Sequence, residues 1–235
     1  MTAPAHHNKQ FWPPWVPPSL TSWFLAHFNA PTQTQQIAWR RTFQGGHVLI
    51  LAPTGSGKTL SAFFSVLAQL GARAQRGKLP NAVLAVYVSP LRALGRDIFR
   101  NLEEPLAALN AALPVANRIR MEIRTGDTAP NDRARMSRRR PHLLLTTPES
   151  LSSLLSQQPW RDGFQPESVI VDEIHSFAEN KRGSLLALTL ERLQARAPHT
   201  LQRIGLSATA QPADATASPT CRASRAERLS EPSSS

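Results

Sequence analysis

The sequence predicts an α/β fold in which a parallel β-sheet is covered by helices on both faces. Two observations support this prediction. Six short runs rich in Val, Ile and Leu recur along the 235 residues with little polar alternation, which is typical of strands buried on both faces. Polar turns and helical stretches separate these runs, so strands and helices alternate as they do in parallel sheets with right-handed crossovers.

The predicted strands are His47–Ala52, Val83–Ser89, Met121–Arg124, His142–Thr146, Val169–Asp172 and Arg203–Ser207. The helices predicted between them are Leu60–Leu70, Leu91–Leu109, Asn131–Arg139, Ser150–Leu155 and Ser184–Ala195. Upstream of the sheet, a helical pattern runs from Ser19 to Gln44 and breaks at Pro31. We expect Ser19 or Thr21 to cap the first piece and Thr32 to cap the second.

Both ends of the chain depart from this pattern. Residues 1–18 are predicted to form an extended, proline-rich leader whose main apolar features are Trp12 and Trp15. Residues 213–235 contain one large aliphatic residue, Leu229, and are predicted to be a disordered, low-complexity tail because nothing there can form a core. Residues 19–212 are the predicted folded domain.

Composition excludes several classes of protein. No stretch reaches the roughly 18 apolar residues of a membrane-spanning helix, and the N-terminus lacks the apolar segment of a signal peptide. The single cysteine, Cys221, excludes an intrachain disulfide and a cysteine-based zinc site. We therefore expect a soluble, cytoplasmic protein with no membrane partner.

The charge balance favours a polyanionic partner but does not establish one. The chain has 27 Lys and Arg against 16 Asp and Glu, a formal net charge of +11. Basic side chains release counterions from phosphate backbones, which favours nucleic-acid binding. However, nearly all the positive charge is arginine and alanine is abundant, so a GC-rich coding sequence explains the composition equally well.

The strongest motif is Ala52-Pro-Thr-Gly-Ser-Gly-Lys-Thr59, which lies between a predicted strand and a predicted helix. Phosphate-binding loops occupy this position. Gly55 and Gly57 let backbone N–H groups turn inward, and the start of the helix adds a partial positive charge. Lys58 can reach the β- and γ-phosphates, and the Thr59 hydroxyl can bind Mg²⁺. A Gly-rich turn that binds nothing is the alternative, but the flanking elements favour nucleotide binding.

Two adjacent carboxylates, Asp172 and Glu173, end another predicted strand. Ligands gather at the carboxyl ends of parallel strands, the edge that also carries the phosphate loop. Asp172 is therefore a candidate for holding Mg²⁺ through water, and Glu173 for orienting and deprotonating the attacking water. An isolated Asp-Glu pair is more often a solvated strand end or a helix cap. Ser207-Ala-Thr209, at the end of the last strand, is equally consistent with an ordinary turn.

In order and spacing, these segments resemble the motifs of superfamily 2 helicases, in detail the large helicase-related branch of the DEAD/DEAH-type proteins. Ala52–Thr59 resembles motif I, Asp172–His175 motif II in its DExH form, and Gly205–Thr209 motif III. Further similarities are Ser89–Leu94 to motif Ia, Arg124–Thr128 to the segment before motif Ib, Thr146–Leu151 to motif Ib, and Ala30–Gln35 to the adenine-reading Q motif. The resemblance covers about residues 19–212 and implies a RecA-like P-loop domain.

The resemblance implies a role for each matching residue. Catalysis would involve Lys58, Asp172, Glu173 and His175, with Thr59 and Asp172 serving Mg²⁺. ATP would be held by Gln35, at the adenine edge, and by Thr54, Gly55, Ser56, Gly57, Lys58 and Thr59. One nucleic-acid strand would contact Arg92, Gly126 and Thr147, and the two sites would be coupled by His175, Ser207 and Thr209. The implied cofactors are ATP and Mg²⁺, and the implied partner is single-stranded or tailed DNA, favoured over RNA.

An arginine cluster fits such a partner: Arg133, Arg135, Arg138, Arg139 and Arg140. In sequence it lies between the two segments expected to contact the strand, and this location favours phosphate contact over a solvated helix. We single out Arg138, Arg139 and Arg140 for that contact. Trp23 and Trp39 lie in periodic helical segments and are expected to pack rather than to stack on bases.

Motors of this class have two RecA-like domains with ATP between them, and the second supplies motifs IV to VI and an arginine finger. Only residues 210–235 follow motif III, so the second domain is expected to be absent, as in a truncated or frameshifted reading frame. The expected function is binding of ATP–Mg²⁺ and single strands with little hydrolysis or unwinding, and a second motor domain could act in trans. The alternative is a non-catalytic nucleic-acid- or partner-binding fragment with a vestigial ATP site. An unrelated P-loop kinase leaves the other motifs unexplained.

Overall fold

A computed structural model describes residues 12–53, 56–77, 79–90, 92–160, 162–178 and 180–208. The predicted tail and residues 1–11 of the predicted leader lie outside this range. The strands are β1 Val48–Leu51, β2 Val83–Val88, β3 Met121–Arg124, β4 Leu143–Thr146, β5 Phe164–Val171 and β6 Gln202–Ser207. The helices are α1 Pro18–His27, α2 Gln33–Phe43, α3 Lys58–Gln75, α4 Arg92–Ala111, α5 Pro130–Arg138, α6 Pro148–Ser156 and α7 Lys181–Gln194, with short 3₁₀ helices at Val115–Asn117, Gln158–Trp160 and Ile174–Phe177.

The six strands form one parallel sheet in the order β1-β6-β5-β2-β4-β3. Successive residues of β4 and β5 pack into two different apolar clusters, one on each face. Side chains of α3 and α4 fill the first cluster, and those of α6 and α7 fill the second. The predicted α/β architecture, with helices on both faces of a parallel sheet, is therefore confirmed.

Strand β5 shows the largest difference between the predicted and observed strands. It begins at Phe164, five positions before the predicted start at Val169. Gln165 is exposed and Glu167 half-buried in this first part, whereas Phe164 and Pro166 are buried. A strand with one covered face alternates in this way, so it lacks the continuous apolar run that marks the other strands.

The two upstream helices differ in how they begin. Thr32 caps α2 as predicted, in a capping box: its hydroxyl accepts from the Gln35 N–H, and the Gln35 side chain accepts from the Thr32 N–H. The prediction of a Ser19 or Thr21 cap for α1 is wrong. Pro18 is the first residue of α1, where a proline loses no hydrogen bond and its fixed φ suits the helix, so α1 starts without a side-chain cap.

Residues 12–17 turn back onto the domain, so the extended conformation predicted for the leader is wrong over these residues. The Val16 N–H donates to the Pro13 carbonyl at 3.0 Å. The Trp12 ring lies 5.2 Å from that of Trp39 and 4.8 Å from that of Phe64. Burial of these aromatic surfaces outweighs the preference of a proline-rich segment for extension. Trp39 is fully buried, as predicted.

Trp23 packs, half-buried, against the same apolar cluster, so its predicted packing role is also confirmed. Among the helices that the structure describes, none combines the length and the apolar character needed to cross a bilayer.

Candidate functional site

The carboxyl ends of all six strands meet at one edge of the sheet because every pairing is parallel. The loop after β1, the two carboxylates after β5 and Ser207 at the end of β6 therefore lie together, as the sequence predicted. β6 stands between β1 and β5, and the Ala52 N–H donates to the Ser207 carbonyl at 3.1 Å. This bond fixes the start of the phosphate loop against motif III.

The phosphate loop ends at Gly57, whose φ is +80° and which directly precedes α3. A Cβ atom at Gly57 would lie 3.0 Å from Nε2 of Gln35, so both the backbone angle and the space favour glycine. Ser56 is exposed, and its hydroxyl donates to the Pro53 carbonyl at 2.7 Å. Thr54 and Gly55 lie outside the described residues.

Lys58 and Glu173 form an ion pair across this edge. Nζ of Lys58 donates to Oε1 of Glu173 at 3.1 Å, and Lys58 is only 6% exposed. A buried ammonium needs such a partner, because desolvation without compensation is costly. The cation expected to hold phosphates and the carboxylate expected to activate water thus neutralise each other in this structure.

Asp172, 2% exposed, is held by two donors. Its Oδ2 accepts from the Tyr87 hydroxyl at 2.6 Å, and its Oδ1 accepts from the Glu173 N–H at 2.8 Å. Burial raises the pKa of Asp172 above its ordinary value, although both hydrogen bonds oppose that rise. Burial and the neighbouring carboxylate likewise raise the pKa of Tyr87. Sequence reasoning missed Tyr87, although the one tyrosine of the chain in a buried aliphatic strand was a signal.

Glu173 is the one non-glycine residue with positive φ in the described part of the chain, at φ 47° and ψ 48°. A glutamate in this region costs of order 1–3 kcal/mol, and such strain clusters at functional sites. The turn takes the chain from β5 into the Ile174–Phe177 helix. His175 Nδ1 consequently lies 3.4 Å from Oε2 of Glu173 and 2.9 Å from Oγ of Ser207. Motifs II and III are thus in direct contact through His175, while Thr209 lies outside the described residues.

Gln35 lies beside the phosphate loop, where its predicted role would place it. It is 4% exposed, and its Oε1 already accepts the Thr32 N–H at 3.0 Å. Because Nε2 of Gln35 lies close to Gly57, this amide is positioned beside the end of the loop that follows β1.

The residues predicted to serve Mg²⁺ fit that ion. Thr59 is half-buried in the first turn of α3, and among the described residues each carboxylate oxygen of Asp172 accepts one side-chain or backbone hydrogen bond, which leaves it capacity for a further ligand. Mg²⁺ prefers such oxygen ligands and completes its shell with waters and substrate phosphates. Among the described residues, no group of three or more His, Cys, Asp or Glu side chains is placed to hold a metal ion.

We expect Asp172→Asn to leave the free energy of unfolding at neutral pH unchanged or higher. Because the folded-state pKa is raised, the native protein binds more protons than the unfolded chain between pH 3.8 and that raised value. Stability therefore falls as pH rises through this window, and the charged carboxylate is a cost above it. Asparagine removes the charge and can still pair with Tyr87 and the Glu173 N–H.

Denaturant titrations of both proteins at neutral and acid pH measure this effect. Any stability gained by Asp172→Asn should shrink at acid pH. A clear loss of stability at neutral pH would contradict the inference that the charged carboxylate of Asp172 destabilises the fold.

A cleft of about 440 Å³ opens at the carboxyl ends of β3 and β4, along the same edge of the sheet. It is lined by Pro90, Arg124, Gly126, Arg133, Thr147, Glu149, Ser150, Ser153, Gln157 and Arg182. Gly126 and Thr147, which the sequence predicted to contact a nucleic-acid strand, therefore belong to one surface. Arg92 is the first residue of α4, two positions after Pro90.

Three arginines line this cleft, and two of them, Arg124 and Arg133, come from or follow β3. Arg133 is exposed and donates to the carbonyls of Gly126, at 2.5 Å, and Thr128, at 2.6 Å. Arg124 is 7% exposed, and its buried Nε has no hydrogen-bond partner in the described structure. Burial and the charge of Arg133 lower the pKa of Arg124. An anion between these guanidinium groups would relieve both the repulsion and the missing hydrogen bond.

Arg138, Arg139 and Arg140 lie elsewhere. They precede β4, at the amino ends of the strands, and a strand of four residues separates the two edges by roughly 13 Å. Arg140 is used in packing: its Nη2 donates to the Pro159 carbonyl at 2.6 Å, and its N–H donates to Oδ1 of Asn81 at 2.8 Å. The structure does not bring these three arginines to the cleft, because β4 carries the chain back across the sheet between them and Thr147.

The sheet order and the functional edge together define a RecA-like P-loop domain. Among solved structures, the helicase Lhr of Mycobacterium smegmatis bound to ssDNA and AMP-PNP matches with a TM-score of 0.77 and 41% identity, over 86% of this chain and 26% of that one. The DEAD-box helicase Mss116 bound to ssRNA and UDP-BeF matches with a TM-score of 0.72 at 18% identity, over 84% of this chain and 40% of that one, which shows the shared fold alone.

A family model for the DEAD/DEAH box helicases matches residues 32–217, and the chain belongs to this family. The ATP-dependent helicase Lhr-Core of Methanothermobacter thermautotrophicus is 47% identical over 85% of this chain. The Lhr helicase/uracil glycosylase of Escherichia coli is 40% identical over 83% of this chain. The aligned part is 23% of the first relative and 13% of the second. The chain thus corresponds to the motor domain of the large helicase-related branch, as its motifs predicted.

Proposed function

We propose that this domain binds ATP–Mg²⁺ at the edge formed by Lys58, Asp172 and Glu173, and a single strand of nucleic acid in the adjoining cleft. The observation that carries the proposal is the convergence of the Lys58–Glu173 pair and an arginine-lined cleft on one edge of the sheet. Single-stranded DNA is favoured over RNA as the bound nucleic acid, because the structure of Lhr, which is 41% identical to this chain, contains ssDNA.

The nucleotide edge supports this chemistry with the residues at hand. When phosphates bind, the Lys58 ammonium would exchange Glu173 for phosphate oxygens, at similar electrostatic gain. Glu173 would then be free to accept a proton from water. Asp172, held by Tyr87, would orient the Mg²⁺ shell, and Mg²⁺ would neutralise charge on the transferred group. Gln35 would face the adenine from the margin of the loop.

The contact between motifs II and III supports coupling of the two sites. His175 lies between Glu173 and Ser207, so a change at either residue alters the surroundings of the other. We propose that these residues, with Thr209, transmit nucleotide state to the strand cleft.

If a nucleic-acid strand binds in the arginine-lined cleft, Arg133, which lines the cleft, should matter for its affinity and Arg139, which does not, should not. Arg133→Ala should weaken binding of a fluorescent oligo-dT, and should flatten the dependence of log K on log salt by up to ~0.7 if one phosphate contact is lost. Arg139→Ala is the matched control: it removes the same charge at the other end of α5, from the amino edge of the sheet. Equal losses in both variants would indicate a general charge effect and contradict the cleft assignment.

A second RecA-like domain is part of this proposal, as the resemblance to two-domain motors implies. Such a domain would cover Lys58 and Glu173 and supply an arginine finger, worth roughly 10³–10⁵ in rate. We therefore propose that the 235-residue chain alone binds ATP but hydrolyses it slowly and separates no strands. A second domain, added in trans if necessary, would restore hydrolysis. The alternative, a vestigial ATP site, predicts no nucleotide binding.

A further inference from the structure

Glu149 is an acidic side chain in the arginine-lined cleft, and the proposed function does not use it. Its carboxylate accepts from Arg182, at 2.6 Å from Nε and 3.3 Å from Nη2. Among the described residues, the charged side chains that line the cleft are three arginines and this one carboxylate. A negative charge opposes the binding of a polyanion, so Glu149 should weaken the proposed binding of nucleic acid in this cleft.

The carboxylate occupies a position that suits a phosphate. Glu149 is the second residue of α6, two positions after the capping residue Thr147, where the start of a helix attracts anions. Arg182 offers it two donors, the arrangement in which arginine binds carboxylate and phosphate alike. Burial alone would raise the pKa of Glu149, but hydrogen bonds from Arg182 and the backbone outweigh it, so the net shift is downward. The group is therefore charged at neutral pH.

Arg182 connects the cleft to the segment that follows the two carboxylates of motif II. Its Nη2 also donates to the Pro90 carbonyl at 2.8 Å, and its guanidinium lies 5.8 Å from the centre of the Phe177 ring. Phe177 ends the 3₁₀ helix that begins directly after Glu173. A Cβ atom on Gly183 would overlap the Phe177 carbonyl, so the start of α7 is packed tightly against this helix.

We propose that Glu149 is an internal substitute for a strand phosphate, and that a phosphate of the bound strand displaces it from Arg182. This inference rests on the proposed binding of a strand in the cleft. A second observation supports an anion there: Arg124 lines the same cleft, and its buried Nε has no hydrogen-bond partner among the described residues. Arg182 is then a positioning residue with two alternative partners, and the exchange alters the restraint on Phe177.

The variant Glu149→Gln tests directly whether the Glu149 carboxylate takes the place of a phosphate, because it keeps the shape of the side chain and removes the charge. We expect an oligo-dT to bind about two- to fivefold more tightly at low salt, the range set by a half-exposed ion pair. Glu191→Gln is the matched control. Glu191 is a similarly exposed partner of an arginine, Arg203 at 3.0 Å, and lies outside the cleft. Its loss should leave strand affinity unchanged.

The NMR resonance of the Arg182 Nε–H group can be assigned by its disappearance in Arg182→Lys. If Arg182 had a purely structural role, this resonance would not shift when a nucleic acid binds. Saturating oligo-dT should shift this signal in the unmodified chain, as the carboxylate partner is replaced by phosphate.

The outcomes are distinguishable. If the unmodified chain binds oligo-dT but Glu149→Gln binds no more tightly, or the Arg182 signal does not move, the inference is overturned and the proposed function stands. If none of the proteins binds, both are overturned. Should Glu149→Gln be unstable by thermal denaturation, the resonance shift in the unmodified chain decides alone.

Discussion

Glu173→Gln is expected to lower ATP hydrolysis by about 10²–10⁴-fold while ATP still binds. Glutamine keeps the shape of the side chain and can still accept a hydrogen bond from Lys58, but it cannot take a proton from water. The loss of negative charge also removes the competitor that holds Lys58 in the absence of nucleotide. ATP affinity should therefore equal or exceed that of the unmodified chain.

Hydrolysis should be measured with a second motor domain of a relative added in trans, since residues 1–235 by themselves are proposed to hydrolyse ATP slowly. Glu104→Gln, which removes an exposed carboxylate paired with His27 on α1, serves as the control and should keep the full rate. Restored hydrolysis that persists in Glu173→Gln would contradict the general-base assignment. Robust DNA-stimulated hydrolysis by the monomeric 235-residue chain alone would contradict the need for a second domain.

Lys58→Ala is expected to weaken ATP binding by roughly ten- to a hundredfold. A charge-assisted hydrogen bond to phosphate is worth about 1.5–3 kcal/mol, and each 1.4 kcal/mol changes affinity about tenfold. The fold should survive, because the remaining Glu173 carboxylate is still 22% exposed and can be hydrated. Equilibrium binding of a fluorescent ATP analogue measures the change.

Lys181→Ala is the control for this measurement, since it removes an exposed lysine at the start of α7. Unchanged affinity in Lys58→Ala would remove the nucleotide site from the proposal and leave the vestigial-site alternative. A loss of similar size in Lys181→Ala would instead reveal a non-specific dependence on charge.

The fold was largely predictable because strands buried on both faces leave continuous apolar runs in the sequence. Five of the six strands lie within about two residues of their predicted limits. The first half of β5 was not predictable in this way, because Gln165 and Glu167 break its apolar run while Pro166 reads as a turn.

The site was predictable where residues follow the ends of strands, because parallel pairing alone brings those ends to one edge. Tyr87 and Arg182 were missed, since their roles depend on contacts with Asp172 and Glu149 that only tertiary packing creates. The position of Arg138, Arg139 and Arg140 away from the cleft was not predictable for a related reason. Sequence position between two functional segments does not say on which edge of the sheet a connecting turn lies.

The insertion of β6 between β1 and β5 has a consequence for synthesis of the chain. β1 pairs with β6, and the side chain of Gln202 further donates to the carbonyls of Thr42 and Gly46 at 2.8 and 3.0 Å. The half of the sheet that carries the phosphate loop therefore lacks its pairing partner until residue 207 has left the ribosome. Until then β1 and the facing edge of β5 present open hydrogen-bonding groups, the kind of surface that chaperones protect and that aggregates when left uncovered. Contacts between such distant segments also form slowly, so the half of the sheet that contains β1 and β6 is the last part that a nascent chain can complete.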